Sequence, residues 1–137
     1  MSTLGLLSQV NLAYLQQIDP LVNDLLKKSD IATDATDVIA IAFDALKDDL
    51  LSKGFIADRI LQEHSIRLKL THAFLVFKML NIRNIKTEGD EFDRSSTKYE
   101  EAYNNRLEIL RVDYDYNDDG EIEESEEDNR LILRMEL

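Results

Sequence analysis

Val38, Ile39, Ala42, Phe43, Leu46, Leu50 and Leu51 recur at a spacing that gathers them along one side of an α-helix and along neither face of a strand. A stripe of that width is stable only when covered, so the rest of the chain must supply apolar helices to pack against it. Thr33 or Asp34 suits its start as a cap. Gly54 suits its end, because glycine takes the left-handed conformation that closes a helix.

The flanking segments supply such partners. Leu6, Leu7, Val10, Leu12 and Leu15 fit a short amphipathic helix before Pro20, the only proline, and Asp19-Pro20 reads as a cap followed by a first helical residue. Leu21, Val22, Leu25 and Leu26 continue at helical spacing to Lys27-Lys28, whose charges suit a helix C-terminus. From about Ala57 to Leu80 the pattern predicts one long helix, with Ile60, Leu61, Leu68, Ala73, Leu75, Val76, Met79 and Leu80 on it. Its second half is apolar almost all round, as a central buried helix must be. Residues 83 to 95 lose the period and read as a loop. Thr97-Lys98-Tyr99-Glu100 has capping-box spacing and is expected to launch a last helix through Ala102, Tyr103, Leu107 and Leu110. The fold class expected is all-α, a small bundle of four to five helices.

At 137 residues the chain suits a single domain. It divides into a helical body over 1–112, an acidic loop over 113–128 and a C-terminal arm over 129–137. The absence of Cys excludes disulfides and thiolate metal sites and suits a reducing compartment. No basic leader precedes an apolar core, and no apolar run reaches membrane-spanning length, so a soluble protein is expected. His64 and His72 have no neighbouring ligands at metal spacing and read as satisfied or exposed side chains. Without a Gly-rich phosphate loop, a zinc-binding H-E-x-x-H pair or a nucleophile elbow, no enzyme is expected.

The net charge of −12 is concentrated in one place. Residues 113–128 hold ten acids and no base, which leaves 18 acids against 16 bases elsewhere. That nearly neutral remainder argues against general nucleic-acid binding, which needs clustered Lys and Arg.

Within the acidic segment, Asp115-Tyr116-Asn117-Asp118-Asp119-Gly120-Glu121-Ile122-Glu123-Glu124-Ser125-Glu126 matches the EF-hand loop position by position. Calcium takes oxygen ligands, and a twelve-residue loop wraps it when ligands alternate along the backbone around a sharp sixth-position turn. Asp115, Asn117 and Asp119 supply side-chain oxygens. Gly120 allows the turn, Glu121 offers its backbone carbonyl, Glu123 acts through water and Glu126 binds through both oxygens. Calcium is the ion expected, with magnesium its competitor. Two other readings remain open: a β-hairpin, since Val112, Tyr114 and Tyr116 alternate with acids before Asp119-Gly120, and a solvated acidic stretch.

The C-terminal residues depart from a paired EF-hand. An exit helix needs apolar residues after the last ligand, where this chain has Glu127, Asp128, Asn129 and Arg130. Leu131, Leu133, Met135 and Leu137 then alternate, so they share one face of an extended segment and form a candidate partner-binding arm. The competing reading is a strand or helical turn packed on its own domain. With one such loop in the chain, a structural use of the ion is expected rather than cooperative signalling.

The order of these parts resembles the small adaptor, or head completion, proteins of tailed bacteriophage head–tail connectors. The similarity lies in Ile18-Asp19-Pro20-Leu21-Val22 leading to Leu25-Leu26-Lys27-Lys28-Ser29-Asp30, the Ala-rich helix to Gly54, and the helix ending Phe74-Leu75-Val76-Phe77-Lys78-Met79-Leu80. The polar loop to Asp93, the helix from Lys98-Tyr99-Glu100-Glu101-Ala102-Tyr103 and the acidic loop before an apolar tail continue it. The resemblance implies a homo-oligomeric ring, commonly of twelve copies, in the virion neck. It would dock on the portal protein and receive the next neck or tail protein, after synthesis in the bacterial host cytoplasm. DNA would pass through the channel without specific binding, and no membrane is involved. An alternative is a stand-alone helical calcium-binding protein of regulatory or buffering type, for which a groove that opens on calcium and usually paired loops are expected.

Overall fold

The computed structural model describes residues 3–28, 35–112, 114, 129 and 130. The protein is mostly helical. Five α-helices are described: α1 Leu12–Ile18, α2 Val22–Lys28, α3 Thr36–Ser52, α4 Lys69–Asn84 and α5 Glu91–Ile109. Two 3₁₀ turns, Ala57–Arg59 and Gln62–Leu68, precede α4, and two short strands, β1 Arg111–Val112 and β2 Asn129–Arg130, come after α5. The small helical bundle expected from the apolar periodicity is what forms.

The α3 stripe is covered along most of its length, but Phe43 is half-buried and Leu51, expected on the same stripe, is exposed. Val38, Ile39, Ala42, Leu46 and Leu50 are buried, and the helix stops in a Schellman motif. Gly54 (φ 93°) donates its N–H to Leu51 O at 2.9 Å, while Phe55 donates to Leu50 O at 2.9 Å. Phe55 and Leu50 are both fully buried, which supplies the hydrophobic contact of this motif. At the other end Ala35 takes the N-cap position at φ 63° without a side-chain cap. The expected caps Thr33 and Asp34 lie outside the described residues.

Helix α4 is the centre. Thr71, His72, Ala73, Leu75, Val76, Phe77, Leu80, Asn81 and Asn84 are all buried on it, and it packs most extensively against α5, then α3 and α2. Its buried amide side chains are matched by carbonyls, as burial demands. Asn81 Nδ2 donates to Phe77 O at 2.8 Å, and Asn84 Nδ2 to Leu80 O at 2.7 Å and Leu25 O at 3.4 Å, the last joining α4 to α2. On the α5 side, Tyr99 stacks on Phe77 with ring centroids 5.1 Å apart. Fully burying a side chain such as Phe77 or Leu80 contributes roughly 1.5–3 kcal/mol. The exposed Lys78–Glu100 ion pair between the same helices contributes at most about 1 kcal/mol. Apolar packing therefore holds the two helices together.

Three expectations are corrected. The stretch from Ala57 to Leu80 is not one helix: Ile60 and Leu61 are extended and take part in isolated β-bridges, Ile60 with Tyr114 and Leu61 with Leu4. Those tertiary partners take up backbone groups that a continuous helix would use, and α4 begins only at Lys69. Leu6, Leu7 and Val10 likewise precede α1, because Gly5 (φ 105°) donates to Ile60 O at 2.9 Å and Asn11 caps the helix by accepting from Tyr14 N at 2.8 Å. Finally, α5 starts at Glu91 instead of near Thr97. Asp90 caps it by accepting from Asp93 N at 2.9 Å, whereas the Thr97 hydroxyl donates to Asp93 O inside the helix. The Asp19-Pro20 turn stands close to expectation, with Asp19 Oδ1 accepting from Leu21 N at 3.0 Å just before α2.

Candidate metal site and the base of the C-terminal segment

The residues expected to ligate an ion, Asp115, Asn117, Asp119, Glu121, Glu123 and Glu126, lie outside the described residues. So do Leu131, Leu133, Met135 and Leu137. What is described is how the chain enters and leaves that acidic stretch. Helix α5 ends where the Leu110 N–H bonds to Leu107 O, and β1 comes directly after it. Strands β1 and β2 pair antiparallel, Arg111 opposite Arg130 and Val112 opposite Asn129. The residues that flank 113–128 are therefore paired with each other.

Tyr114 anchors the entering side. It is 2 % exposed, its ring meets Phe55 edge-on at 4.9 Å between centroids, and its hydroxyl accepts from Ile56 N at 2.9 Å. Asp115, the first expected ligand, is its immediate neighbour in sequence. Arg67 adds a second tie by donating from Nη1 to Arg111 O at 3.1 Å. Helical periodicity does not reveal the part Tyr114 plays, and its alternation with Val112 is the one local signal of it. Its partners Phe55, Ile56 and Ile60 are more than 50 residues away, beyond the reach of any local pattern.

Asn129 and Arg130, where an EF-hand exit helix would run, form β2 instead. A β-ladder therefore flanks the acidic stretch, in a register two residues off that of a tight hairpin turning at Asp119-Gly120, and that turn itself lies outside the described residues. Apart from the two-stranded β1–β2 sheet, isolated bridges tie Leu4 to Leu61 and Ile60 to Tyr114.

The histidines are core residues. His72 is 2 % exposed, its Nε2 lies 2.9 Å from Ile39 O and its ring packs on Phe43 at 5.2 Å. Burial lowers its pKa below the ordinary imidazole value, and the hydrogen bond to Ile39 opposes that shift in part. His64 is also buried. Among the described residues no group of three or more His, Asp or Glu side chains could hold a metal ion, and no helix is long and apolar enough to cross a membrane.

No known protein family, curated protein or solved structure matches the chain.

Proposed function

We propose that the protein is a structural adaptor of a phage neck, forming a ring between the portal and the downstream neck or tail proteins, with a calcium-stabilised C-terminal segment. The observation that carries this reading is the fixed base of that segment. Paired strands at 111–112 and 129–130, with Tyr114 locked into the core, hold both ends of the acidic stretch against a rigid helical body. The chain beyond Arg130 thus starts from a defined point, which an arm directed at a neighbour needs.

The ion has a physical role in this arrangement. Ten acids in sixteen residues repel one another, and a dication gathered by Asp115, Asn117, Asp119, the Glu121 carbonyl, Glu123 through water and Glu126 offsets that repulsion. Asp115 is three residues beyond Val112, and Glu126 three residues before Asn129. Pairing of the flanking strands shortens the loop that an ion must gather, and so reduces the ordering entropy that binding must overcome. Excess acid along the DNA channel would also keep phosphate from adhering.

Co-expression with a portal protein from the same genome is the test. Retention of the adaptor on a tagged portal as a ring-shaped complex is the result expected. A portal that emerges free of it, with the protein remaining monomeric and exposing a new apolar surface on calcium addition, would favour the regulatory or buffering alternative.

A further inference from the structure

Tyr114 is the last described residue before the acidic stretch, and it is held from three sides. Its backbone bridges to Ile60, its ring meets Phe55 edge-on, and its hydroxyl accepts the Ile56 N–H at 2.9 Å. The residue bonded to its carbonyl is Asp115, the first of the expected ion ligands. A ligand attached to a fixed residue has less backbone freedom to lose on closing around an ion than one in a free chain. The other ties at this end act further back: Arg67 holds Arg111 O, four residues before Asp115, and the β1–β2 pairs involve Arg111 and Val112. On the returning side, Glu127 and Asp128 separate the twelfth-position Glu126 from β2. Among the described contacts, those of Tyr114 therefore stand nearest in the chain to an expected ligand.

We propose that Tyr114 is the positioning residue of the ion site and couples that site to the turn after α3. With a dication bound, Asp115 is fixed, Tyr114 is held more firmly in place and the hydrogen bond from Ile56 N–H to the Tyr114 hydroxyl opens less often. With that bond removed, the ion binds more weakly. The two effects are one free energy seen from either end, because coupling between two equilibria is reciprocal. The turn it reaches is part of the surface: Ile56 and, at the end of α3, Leu51 are exposed beside a pocket of about 230 Å³ that Lys47, Ala57 and Asp58 also line. Ion occupancy is thereby felt at an apolar surface 58 residues from Tyr114 in sequence.

This inference rests on the calcium reading above, and the experiment separates the two. Full-length chains are titrated with calcium by calorimetry, and amide hydrogen exchange is followed with and without saturating calcium. Tyr114→Phe keeps the ring and removes the hydroxyl. Tyr103→Phe, which removes the hydroxyl bond to Asp49 Oδ2 between α5 and α3, controls for a loss of stability elsewhere. The expected result is a calcium dissociation constant raised about fivefold or more in Tyr114→Phe and unchanged in Tyr103→Phe. In the natural sequence calcium should slow exchange of the Ile56 amide by a comparable factor. It should leave unchanged the Ile85 amide, which bonds to Ile82 O at the C-terminal end of α4 and likewise exchanges by local opening. Calcium bound equally well by Tyr114→Phe, or an Ile56 amide that exchanges at the same rate with and without the ion, would overturn the coupling and leave the ion site standing. No calcium uptake by the natural chain would overturn the ion site, and the coupling with it.

Discussion

The Tyr114 hydroxyl accepts the Ile56 backbone N–H at 2.9 Å, joining residues 58 apart in sequence and fastening the entrance of the acidic stretch to the turn that comes after α3. Because Tyr114 is almost fully buried against Phe55, its two contributions can be separated. Tyr114→Phe keeps the ring and leaves the Ile56 N–H without this acceptor, at a cost of about 1 kcal/mol. Tyr114→Ala also removes the ring and costs roughly 3 kcal/mol. Urea unfolding of both variants checks the order; equal losses would mean that the hydroxyl alone carries the anchor.

Tyr103 makes the matching tie between α5 and α3, its hydroxyl donating to Asp49 Oδ2 at 2.6 Å. Burial, followed by the Asp49 carboxylate, pushes the Tyr103 pKa well above the ordinary tyrosine value of 10.0. Since the folded state holds this proton more tightly than the unfolded chain, the stabilisation is complete below pH 10 and declines as the pH rises beyond it. Tyr103→Phe should lower stability by about 1 kcal/mol at neutral pH and reduce the alkaline decline, as measured by thermal melts across pH 8 to 11.

His72 contributes to the acid side. Its folded pKa lies below the ordinary 6.5, so the unfolded chain takes up a proton first as the pH falls. Stability contributed by neutral His72 is therefore intact above pH 6.5 and is lost as the pH drops below it toward the folded pKa. His72→Gln offers an amide donor to Ile39 O without titrating, and should flatten the melting temperature over the upper part of that window. An unchanged slope there would assign the acid sensitivity to other groups.

Asp90 and Thr97 separate the two helix starts. Asp90 accepts from the N–H groups of Lys86, Thr87 and Asp93, and the bond from Lys86 is the largest cause of its lowered pKa. Asp90→Ala should lower the melting temperature, while Thr97→Ala, at an exposed position within α5, should change it little. The Asp90 contribution should also fade as the pH falls through and below the ordinary carboxyl value of 3.8.

Those two residues also mark what the sequence makes legible. Most of the α3 stripe with its Gly54 stop, and the apolar run to Leu80 that becomes the central helix α4, can be read because apolar period and terminal glycine are local signals and the fold agrees with them. The α5 start is misplaced by sequence because Thr97-Lys98-Tyr99-Glu100 satisfies the capping spacing on its own, whereas Asp90 takes its role from the turn over Lys86 and Thr87. The break at Ile60 is invisible for a different reason. Nothing in its neighbourhood opposes a helix; the competing partners are Leu4 and Tyr114, and such pairings are decided by tertiary packing. In the candidate site, the oxygen pattern from Asp115 to Glu126 is local and readable, while the closure of its base through β1 and β2 is not.

Calcium-dependent melting of the full-length chain tests the central claim most directly. With calcium at about 100 times its dissociation constant, binding to the folded state alone adds about 2.7 kcal/mol and raises the melting temperature by several degrees. Asp115→Ala with Glu126→Ala removes the proposed first and twelfth ligands and should abolish that rise while leaving the calcium-free melt of the helical body intact. An identical rise in the double variant, or none in the natural sequence, would contradict the account.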